Sequence, residues 1–493
     1  MNTFKEKTLR GSLLLAALTC LLVACKDNDP SPQEEEEPKR VTSDEIYYAN
    51  RFASDVLSDV YLWEKEIKEE MKRLDPDTNL DPISTVKEIR YKENGAEVDK
   101  WTMLTDDVAA LTNSNQGVST TYGYKLALGK FSNSDNYFFL VNMVFDYSPA
   151  AQAGLKRGDI LLKINGQNIT KENYLEAVNS SSITLTLGEK QGNSIGISSQ
   201  TVTMQAKQMY CNPILCAKTF EADGKQIGYL AYESFDLESV EALISICKEF
   251  KALKVEELIL DLRYNGGGYV FTELALASML APEAEVKSHA LYQTEVWNDS
   301  YMEYYKSKGI DLNTYFYNSL KMTTGGKTYT AQTADANIGI KKLYVLVGSS
   351  TASASESLVV GLLPFLPIEL IGSQTHGKYC TGMVLTADDV YDKKIEALDN
   401  WGIYVMINRY ADRNGNCPCM PNGLTPDYEV KDNAMEGYLL GDERESLLRM
   451  ALQHAGMSNL PATRSLPDAI DYEVCEQLSQ NPLEGKRIAL QRP

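Results

Sequence analysis

Two strand-like segments of this sequence run into residues that could form a site for acyl or phosphoryl transfer. The first segment, residues 257–263, is followed by the glycines 266–268, and glycines after a strand leave backbone N–H groups accessible to an anion. A phosphate loop would continue with Gly-Lys-Ser/Thr, which is missing here, so an oxyanion hole is the better interpretation. The second segment, residues 342–348, leads into Ser353 and a predicted helix. A serine at such a turn is either an exposed nucleophile or a helix cap.

A third strand-like segment, residues 368–372, is followed by the sequence Thr-His-Gly-Lys at 375–378. Taken in order, the motifs DLRxNGGG (261–268), TASASE (351–356) and TxGK (375–378) resemble those of the C-terminal-processing peptidases, serine peptidase family S41. The segment GLTPD at 423–427 also resembles the GIxPD stretch of that family. The resemblance covers most of residues 41–430.

By this resemblance Ser353 is the nucleophile and Lys378, 25 residues later, is its general base. A serine hydroxyl is a poor nucleophile until a base takes its proton. An ordinary lysine, with a pKa of about 10.4, is charged near neutrality and cannot do so. Burial in an apolar pocket disfavours the ammonium and lowers that pKa. We therefore expect Lys378 to be desolvated, with its nitrogen close to the Ser353 hydroxyl.

The resemblance also implies an oxyanion hole and a third polar group. The amide of Ala354, just after the nucleophile, would act together with that of Gly267 or Gly268. Glu356 matches a family position that helps to orient the catalytic site. Because an ionised Glu356 close to Lys378 would raise the lysine pKa, we expect it to support the site without taking part in proton transfer.

The sequence departs from the family pattern around the lysine. Some relatives place a glutamine four residues after the lysine to hold it, and here that position is Gly382. His376 and Cys380 flank Lys378. A serine–histidine pair with His376 as base is therefore an alternative, whereas Cys380 is expected to serve packing.

Residues 148–166, SPAAQAGLKRGDILLKING, closely resemble a bacterial PDZ domain. Alternating apolar residues at 160–164 predict a strand, and Asn165-Gly166 predicts a hairpin turn. A PDZ domain binds a peptide by adding it as a strand to its own sheet. The resemblance places this binding strand and its loop at Gly123, Tyr124, Lys125 and Leu126.

We therefore predict an α/β multidomain fold: a peptidase core of ββα units (crotonase-like), an inserted β-rich PDZ-like domain and an N-terminal helical domain. The predicted boundaries are a lipoprotein signal peptide (1–24), a disordered tether (25–40), the helical domain (41–112), the PDZ-like domain (113–205), the S41 peptidase core (206–433) and a C-terminal extension (434–493) that is helical and then irregular.

The start of the chain predicts export. Basic residues precede an apolar run at 11–24, which is too short to span a bilayer and typical of a signal peptide. The run ends in LVAC, which resembles a bacterial lipobox and predicts lipidation of Cys25. The expected location is the bacterial cell envelope, as an outer-membrane lipoprotein on the periplasmic face or the cell surface. The net charge of −20 disfavours nucleic acid as a partner and leaves the lipid anchor as the only membrane contact.

Besides Cys25, the mature chain has seven cysteines, an odd number that precludes a complete disulfide framework. Cys417 with Cys419, and Cys211 with Cys216, could form bridges or contribute to a metal site. Because the chain has only three histidines, we expect no metal and no cofactor.

The sequence thus predicts a serine endopeptidase of the C-terminal-processing type. It would hydrolyse peptide bonds of protein substrates by a Ser–Lys acyl-enzyme mechanism, with peptide capture by the PDZ module. The alternative is a catalytically inactive surface protein that retains the protease fold and only binds peptides.

Overall fold

The structure is a computed structural model of the chain, and it describes residues 40–115, 117–132, 136–191, 194–324, 326–463, 472–478 and 486–489. The predicted signal peptide, Cys25 and the predicted tether up to residue 39 lie outside the described residues. Across the described ranges, no helix combines the length and the apolar composition needed to cross a membrane.

The N-terminal segment packs as a layer on the α/β core. Ser43 caps its first helix by accepting a hydrogen bond from the Ile46 N–H. Phe52 and Val56 are buried in the same hydrophobic cluster as Leu260 of the core, so this segment has no separate core of its own. Its elements are α1 (Asp44–Asp59), α2 (Pro82–Ile89), α3 (Val108–Asn115), β1 (Lys92–Glu93), β2 (Ala96–Glu97) and β3 (Met103–Thr105).

The PDZ-like region forms a sheet with its own hydrophobic cluster, which includes Leu126, Phe139 and Leu161. Asn165 and Gly166 both have positive φ, as the predicted hairpin requires. The elements are β4 (Val118–Thr121), β5 (Tyr124–Phe131), β6 (Tyr137–Val144), α4 (Pro149–Gln152), β7 (Ile160–Ile164), β8 (Gln167–Asn168), α5 (Glu176–Asn179), β9 (Ser182–Gln191), β10 (Ser194–Gln205) and β11 (Lys207–Tyr210). Strands β10, β9, β7, β6 and β5 are neighbours in that order.

The core contains two large sheets and the two-stranded sheet β18–β19, and helices separate many of its successive strands, as the alternating pattern predicts. Its helices are α6 (Val240–Ala252), α7 (Val270–Leu280), α8 (Glu283–Lys287), α9 (Asp299–Lys308), α10 (Ala354–Leu362) and α11 (Ala387–Val390). Its strands are β12 (Ile214–Ala222), β13 (Lys225–Tyr232), β14 (Val255–Asp261), β15 (Gly268–Tyr269), β16 (Leu291–Trp297), β17 (Thr314–Tyr315), β18 (Ser319–Thr324), β19 (Lys327–Gln332), β20 (Lys342–Val347), β21 (Ile368–Gly372), β22 (Cys380–Thr386), β23 (Gly402–Asp412) and β24 (Tyr428–Glu429).

The first core sheet has the strand order β12-β13-β14-β20-β21-β24. From β13 to β24 each pair of neighbouring strands is parallel, whereas β12 is antiparallel to β13. The three segments singled out in the sequence follow β14, β20 and β21, which are adjacent. Because the carboxyl ends of parallel strands meet at one edge of a sheet, the three motifs come together there.

The C-terminal extension differs from the prediction of a helical and then irregular tail. After α12 (Ser446–His454), two strands follow, β25 (Tyr472–Leu478) and β26 (Arg487–Ile488). Strand β25 joins the PDZ sheet beside β5. Strand β26 lies between β15 and β22 in the second core sheet, whose order is β15-β26-β22-β23-β16-β17. The sequence did not indicate these strands because their hydrogen-bond partners are edges of distant parts of the chain.

A buried ionic network joins the PDZ-like region to the core. Arg157, in the PDZ motif, lies with its Nη2 2.6 Å from Asp432 Oδ1. Arg263 of the DLR motif is paired with Asp261 at 2.8 Å, with Glu445 at 2.5 Å and with Asp432 at 3.1 Å. The two arginines hold the pKa of Asp432 below its usual range, although burial acts in the opposite direction. The strand that carries the DLR motif is thus tied to the PDZ fold.

We expect the change Arg157→Met to lower the free energy of unfolding by about 1–3 kcal/mol, because it removes a cation from the buried Glu445 and from Asp432, which is 25% exposed and keeps its contact with Arg263. Urea unfolding followed by circular dichroism measures this loss. The matched control is Arg444→Met, since Arg444 pairs with Asp442 at the same 2.6 Å but is 39% exposed. Equal unfolding midpoints for the two variants would contradict the prediction.

Candidate active site

The glycine loop, the serine turn and the lysine loop meet at the edge formed by β14, β20 and β21. A Cβ placed on Gly267 would lie 2.8 Å from the Cβ of Ser353, so the glycine loop touches the serine turn directly. Residues 351 and 376 are joined by a hydrogen bond from the His376 N–H to the Thr351 carbonyl, at 3.0 Å. The sequence motifs are therefore one site.

Ser353 has the geometry of a strained turn at the start of α10. Its φ of 66° lies in the left-handed region, which costs a non-glycine residue free energy and is typical of functional sites. The side chain is fully buried, and its Oγ has no hydrogen-bond partner among the described residues. The hydroxyl is thus not committed to another group.

Lys378 is fully buried and surrounded by aromatic rings. Its Nζ donates to the Tyr404 hydroxyl at 3.1 Å and lies 5.0 Å from the centroid of the Trp101 ring. Burial lowers the pKa of Lys378 to about 8, and the positive charges of Lys486 and Arg487 act in the same direction, whereas Asp99 raises it. A lysine with such a pKa is partly neutral near physiological pH.

Glu356 connects the serine turn to the lysine loop through backbone amides. Its carboxylate accepts hydrogen bonds from the N–H groups of Ser353 at 3.0 Å, Gly377 at 2.7 Å and Lys378 at 2.8 Å, and from the Thr375 hydroxyl. Glu356 thus binds the backbone amide of Lys378. Burial of the carboxyl group raises the pKa of Glu356. This buried carboxylate fixes the relative position of the two loops.

The missing side chain at position 382 is compensated by Tyr404, which the sequence argument overlooked. A Cβ on Gly382 would lie 2.3 Å from the Cζ of Tyr404, so the tyrosine occupies the space that a larger residue would fill. Its hydroxyl accepts the Lys378 hydrogen bond and donates to the Arg487 carbonyl at 3.2 Å. No local pattern could have indicated this, because residues 382 and 404 meet only across the sheet.

The two residues that flank the lysine lie in different environments. The side chain of His376 is exposed, and its ring centroid lies 6.2 Å from that of Trp101. Cys380 is fully buried, with its Sγ 3.3 Å from the sulfur of Met406, which agrees with the packing role expected for it.

The GLTPD segment is hydrogen-bonded to the lysine loop. The Leu424 N–H donates to the Thr375 hydroxyl at 2.6 Å, and the Thr375 N–H donates to the Leu424 carbonyl at 3.1 Å. A Cβ on Gly377, whose φ is 87°, would lie 2.5 Å from the Pro421 carbonyl oxygen. Glycine is therefore required at the position just before the lysine.

The two candidate oxyanion glycines differ in what their amides bind. The Gly267 N–H donates to Asn265 Oδ1 at 2.9 Å. The Gly268 N–H donates to the backbone carbonyl of Lys486 at 2.6 Å. A Cβ on Gly268 would come within 2.3 Å of the Phe235 carbonyl oxygen, so only glycine fits there. Of the two amides, that of Gly268 is therefore the one that binds a backbone carbonyl oxygen, as an oxyanion donor would do with a substrate.

Of the four residues expected to bind a peptide on the PDZ sheet, two serve the PDZ fold itself. A Cβ on Gly123 would lie 2.2 Å from the Cβ of Ser148, which closes the loop tightly. Tyr124 is buried and donates to the Ala177 carbonyl at 2.6 Å. Gly123 and Tyr124 therefore stabilise the loop, and a peptide could be bound there only by backbone hydrogen bonds.

The other two residues of that group face different partners. Lys125 is buried, with its Nζ 2.7 Å from the Tyr264 carbonyl and 2.7 Å from Glu233 Oε1, so it contacts the peptidase core. Leu126 pairs with Leu478 of β25. The edge expected to take a peptide strand is thus occupied by the C-terminal segment of the same chain.

The seven cysteines of the described residues are present as free thiols. The closest pair, Cys417 and Cys419, have their sulfurs 3.6 Å apart, and Cys211 and Cys216 are likewise unbridged. Over the described part of the chain, no group of three or more His, Cys, Asp and Glu side chains is arranged to hold a metal ion.

The chain is similar to known proteins in sequence. The model of peptidase family S41 matches residues 226–430, and a PDZ domain model matches residues 146–187. The carboxy-terminal processing protease CtpB of Bacillus subtilis is 23% identical over 39% of this chain and 44% of its own length. A carboxy-terminal-processing protease of Bartonella bacilliformis is 24% identical over 65% of this chain and 64% of its own length. The chain thus spans less than two thirds of these curated relatives.

The fold is similar to a solved structure. A putative S41 protease from Bacteroides fragilis superimposes with a TM-score of 0.60 at 21% identity, over 82% of this chain and 96% of the other. The family model matches the segment that carries the glycine loop, the serine turn and the lysine loop, and the PDZ model matches part of the inserted sheet, including β7 and most of β9. The chain is thus similar to peptidase family S41 over residues 226–430 and to a PDZ domain over residues 146–187.

Proposed function

We propose that this protein is a serine endopeptidase of the C-terminal-processing type, which hydrolyses peptide bonds of protein substrates through a Ser–Lys acyl-enzyme mechanism. The observation that carries this proposal is Lys378, which is fully buried with its pKa lowered to about 8 by that burial. It lies on the loop that Glu356 ties to the Ser353 turn. A base that is neutral near physiological pH and a hydroxyl without a partner are what serine acylation needs.

In the proposed mechanism, neutral Lys378 takes the proton of the Ser353 hydroxyl as its Oγ attacks the peptide carbonyl. The amide of Ala354 stabilises the oxyanion together with that of Gly267 or Gly268, once the glycine amide leaves its present acceptor, Asn265 or the Lys486 carbonyl. The Lys378 ammonium then gives its proton to the leaving amine, and the acyl-enzyme forms. Water, deprotonated by Lys378, hydrolyses the ester and restores Ser353.

We also propose that the PDZ module captures peptides by strand addition to β5. This is supported by the seating of β25 on that edge in antiparallel register. The order β12, β13, α6 further supports a core built from ββα units, the crotonase-like arrangement that the family resemblance implies.

For location, we propose a lipoprotein of the bacterial outer membrane, anchored through Cys25. The support is the basic start, the short apolar run and the LVAC sequence. The lipid would be the only contact with the membrane, and the net charge of −20 speaks against nucleic acid as a partner.

We expect Ser353→Ala to reduce cleavage of unfolded casein by at least about 10³-fold, because the nucleophile is lost. The matched control is Ser373→Ala, an exposed serine at the same edge of the sheet, which should retain activity. If the unaltered chain and Ser353→Ala are equally inert and both bind peptides, the protein is the inactive peptide-binding alternative.

We expect kcat/KM to rise with pH and to level off above about 8, because Lys378 acts only when it is neutral and its pKa is lowered to about 8. Below that pKa the rate should fall about tenfold per pH unit. The measurement is steady-state cleavage of a fluorogenic peptide across this pH range. Lys378→Arg should be inactive, because a guanidinium is not deprotonated in this range.

In the same assay His376→Ala should keep substantial activity. If instead His376→Ala abolishes cleavage, Lys378→Ala preserves it, and the activity profile levels off near an ordinary histidine pKa of about 6.5, histidine is the base.

We expect Cys25→Ser to release the protein from the membrane fraction of bacteria that express the full chain, because the thiol that carries the lipid is absent. Detergent phase partition and labelling with a palmitate analogue measure this. Cys20→Ser, in the same apolar run, is the control and should remain membrane-bound. Unchanged partition of Cys25→Ser would exclude the anchor.

A further inference from the structure

The C-terminal segment pairs with the edge of the PDZ sheet that is expected to bind peptides, and with a second edge that includes the glycine loop. Strand β25 pairs with β5 of the PDZ sheet, from Tyr472 opposite Phe131 to Leu478 opposite Leu126. Strand β26 pairs with β15 of the glycine loop and with Gly382 of β22. Both additions are backbone pairings of an extended segment, the form in which peptidases and PDZ domains bind polypeptides.

The first of these strands borders a cavity beside the candidate active site. The cavity, of about 480 Å³, has Trp101, Ser350 and His376 on one side and Glu476 and Gln477 of β25 on the other. At the C-terminal end of the strand, next to Gln477, the Leu478 side chain is buried in the hydrophobic cluster of the PDZ domain. An extended chain on β5 is therefore positioned at the entrance to the serine turn.

The second strand places an arginine in a closed pocket. Arg487 is buried, and its Nε lies 2.9 Å from Glu273 Oε2, while its Nη2 donates to Gln293 Oε1 at 3.0 Å. Nη1 donates to the Thr381 hydroxyl, and the guanidinium lies over the Tyr410 ring at 4.5 Å from its centroid. A carboxylate, two neutral acceptors and an aromatic face together match a planar guanidinium.

This pocket is attached to the catalytic groups. The Tyr410 hydroxyl donates to the carbonyl of Lys378 at 2.8 Å and lies 3.3 Å from that of Ser353. Glu273 accepts a hydrogen bond from the hydroxyl of Ser357, one turn into α10, at 2.6 Å. The residue before Arg487 places its carbonyl on the amide of Gly268. The arginine pocket therefore adjoins the proposed oxyanion donor.

The pocket has a chemical preference that follows from its burial. Glu273 is fully buried, and its Oε2 is bound to Arg487. Removing the cation would leave a buried carboxylate without its charge partner, which is strongly unfavourable. A neutral side chain of similar length would thus bind less well, and lysine could not make the planar set of bonds.

We propose that Glu273, Gln293, Thr381 and Tyr410 form a guanidinium subsite for an arginine side chain of a peptide substrate. The chain's own residues 486–489 occupy this subsite, and its residues 472–478 occupy the PDZ edge, as an internal peptide ligand. This inference rests on the proposed peptidase function and names its substrate class: extended polypeptides with an arginine at the position that Arg487 fills. Such a peptide would have to displace the internal segment.

The test uses the full chain with Ser353→Ala, so that peptides are bound and not cut. A fluorescent peptide with the sequence of residues 484–490 carries either arginine or its neutral isostere citrulline at position 487, and its affinity is measured by anisotropy. With Arg487→Gln in the protein, the arginine peptide should bind at least about tenfold more tightly than the citrulline peptide. With Arg492→Gln, a matched control five residues further along the sequence, the arginine peptide should bind at least about tenfold more weakly than to Arg487→Gln. Equal affinities for the two peptides, or for the two variants, would overturn the inference.

A second measurement leaves the sequence of the C-terminal segment unchanged, so it tests the inference even if Arg487→Gln does not fold. Hydrogen exchange of the Ser353→Ala chain is followed with the arginine peptide at about 10 mM, above the millimolar effective concentration of a tethered segment. Residues 472–478 and 486–489 should lose protection while β14 and β20 keep theirs. If the segment stays as protected as those strands, it is a permanent part of the fold and the inference is wrong.

Failure of this inference can be told apart from failure of the proposed function. A chain that cleaves casein through Ser353 but shows no arginine preference overturns only the guanidinium subsite. A chain that binds the arginine peptide selectively, while its casein cleavage is unaffected by Ser353→Ala, overturns only the peptidase.

Discussion

The site depends on one buried carboxylate that binds backbone amides. Glu356 sits one turn after Ser353 and accepts hydrogen bonds from the amides of Ser353, Gly377 and Lys378. Charged hydrogen bonds of this kind are each worth about 1.5–3 kcal/mol, and burial makes the loss of any of them expensive. The serine turn and the lysine loop belong to different strands, and this carboxylate holds them in one arrangement.

The environment of Lys378 is built by parts of the chain that are far apart in sequence. Trp101 comes from the N-terminal layer and Tyr404 from the second core sheet, and both rings lie within 5.2 Å of the lysine nitrogen. Rings exclude water and still interact favourably with a cation, so the ammonium is disfavoured but not forbidden. That balance suits a base that must accept a proton and later return it. Because Trp101 belongs to the N-terminal segment, the packing of that segment on the core contributes to the environment of Lys378.

Sequence reasoning located the site because its three motifs are local and each follows a strand. It could not show what fills the space at Gly382, since Tyr404 is a neighbour only across the sheet, and it assigned Glu356 a general supporting role without finding the three amides. The C-terminal strands were missed for a related reason. Residues 472–478 alternate weakly and are mostly exposed on one face, and an added strand is stabilised by the edge that receives it, which no local pattern reveals.

The left-handed conformation of Ser353 has opposite effects on stability and on the proposed chemistry. Glycine adopts a φ of 66° without steric cost, whereas a residue with a Cβ does not. The fold alone would thus favour glycine at the start of α10, and only the need for a hydroxyl opposes it. Serine at position 353 is the kind of residue that selection for activity retains against selection for stability.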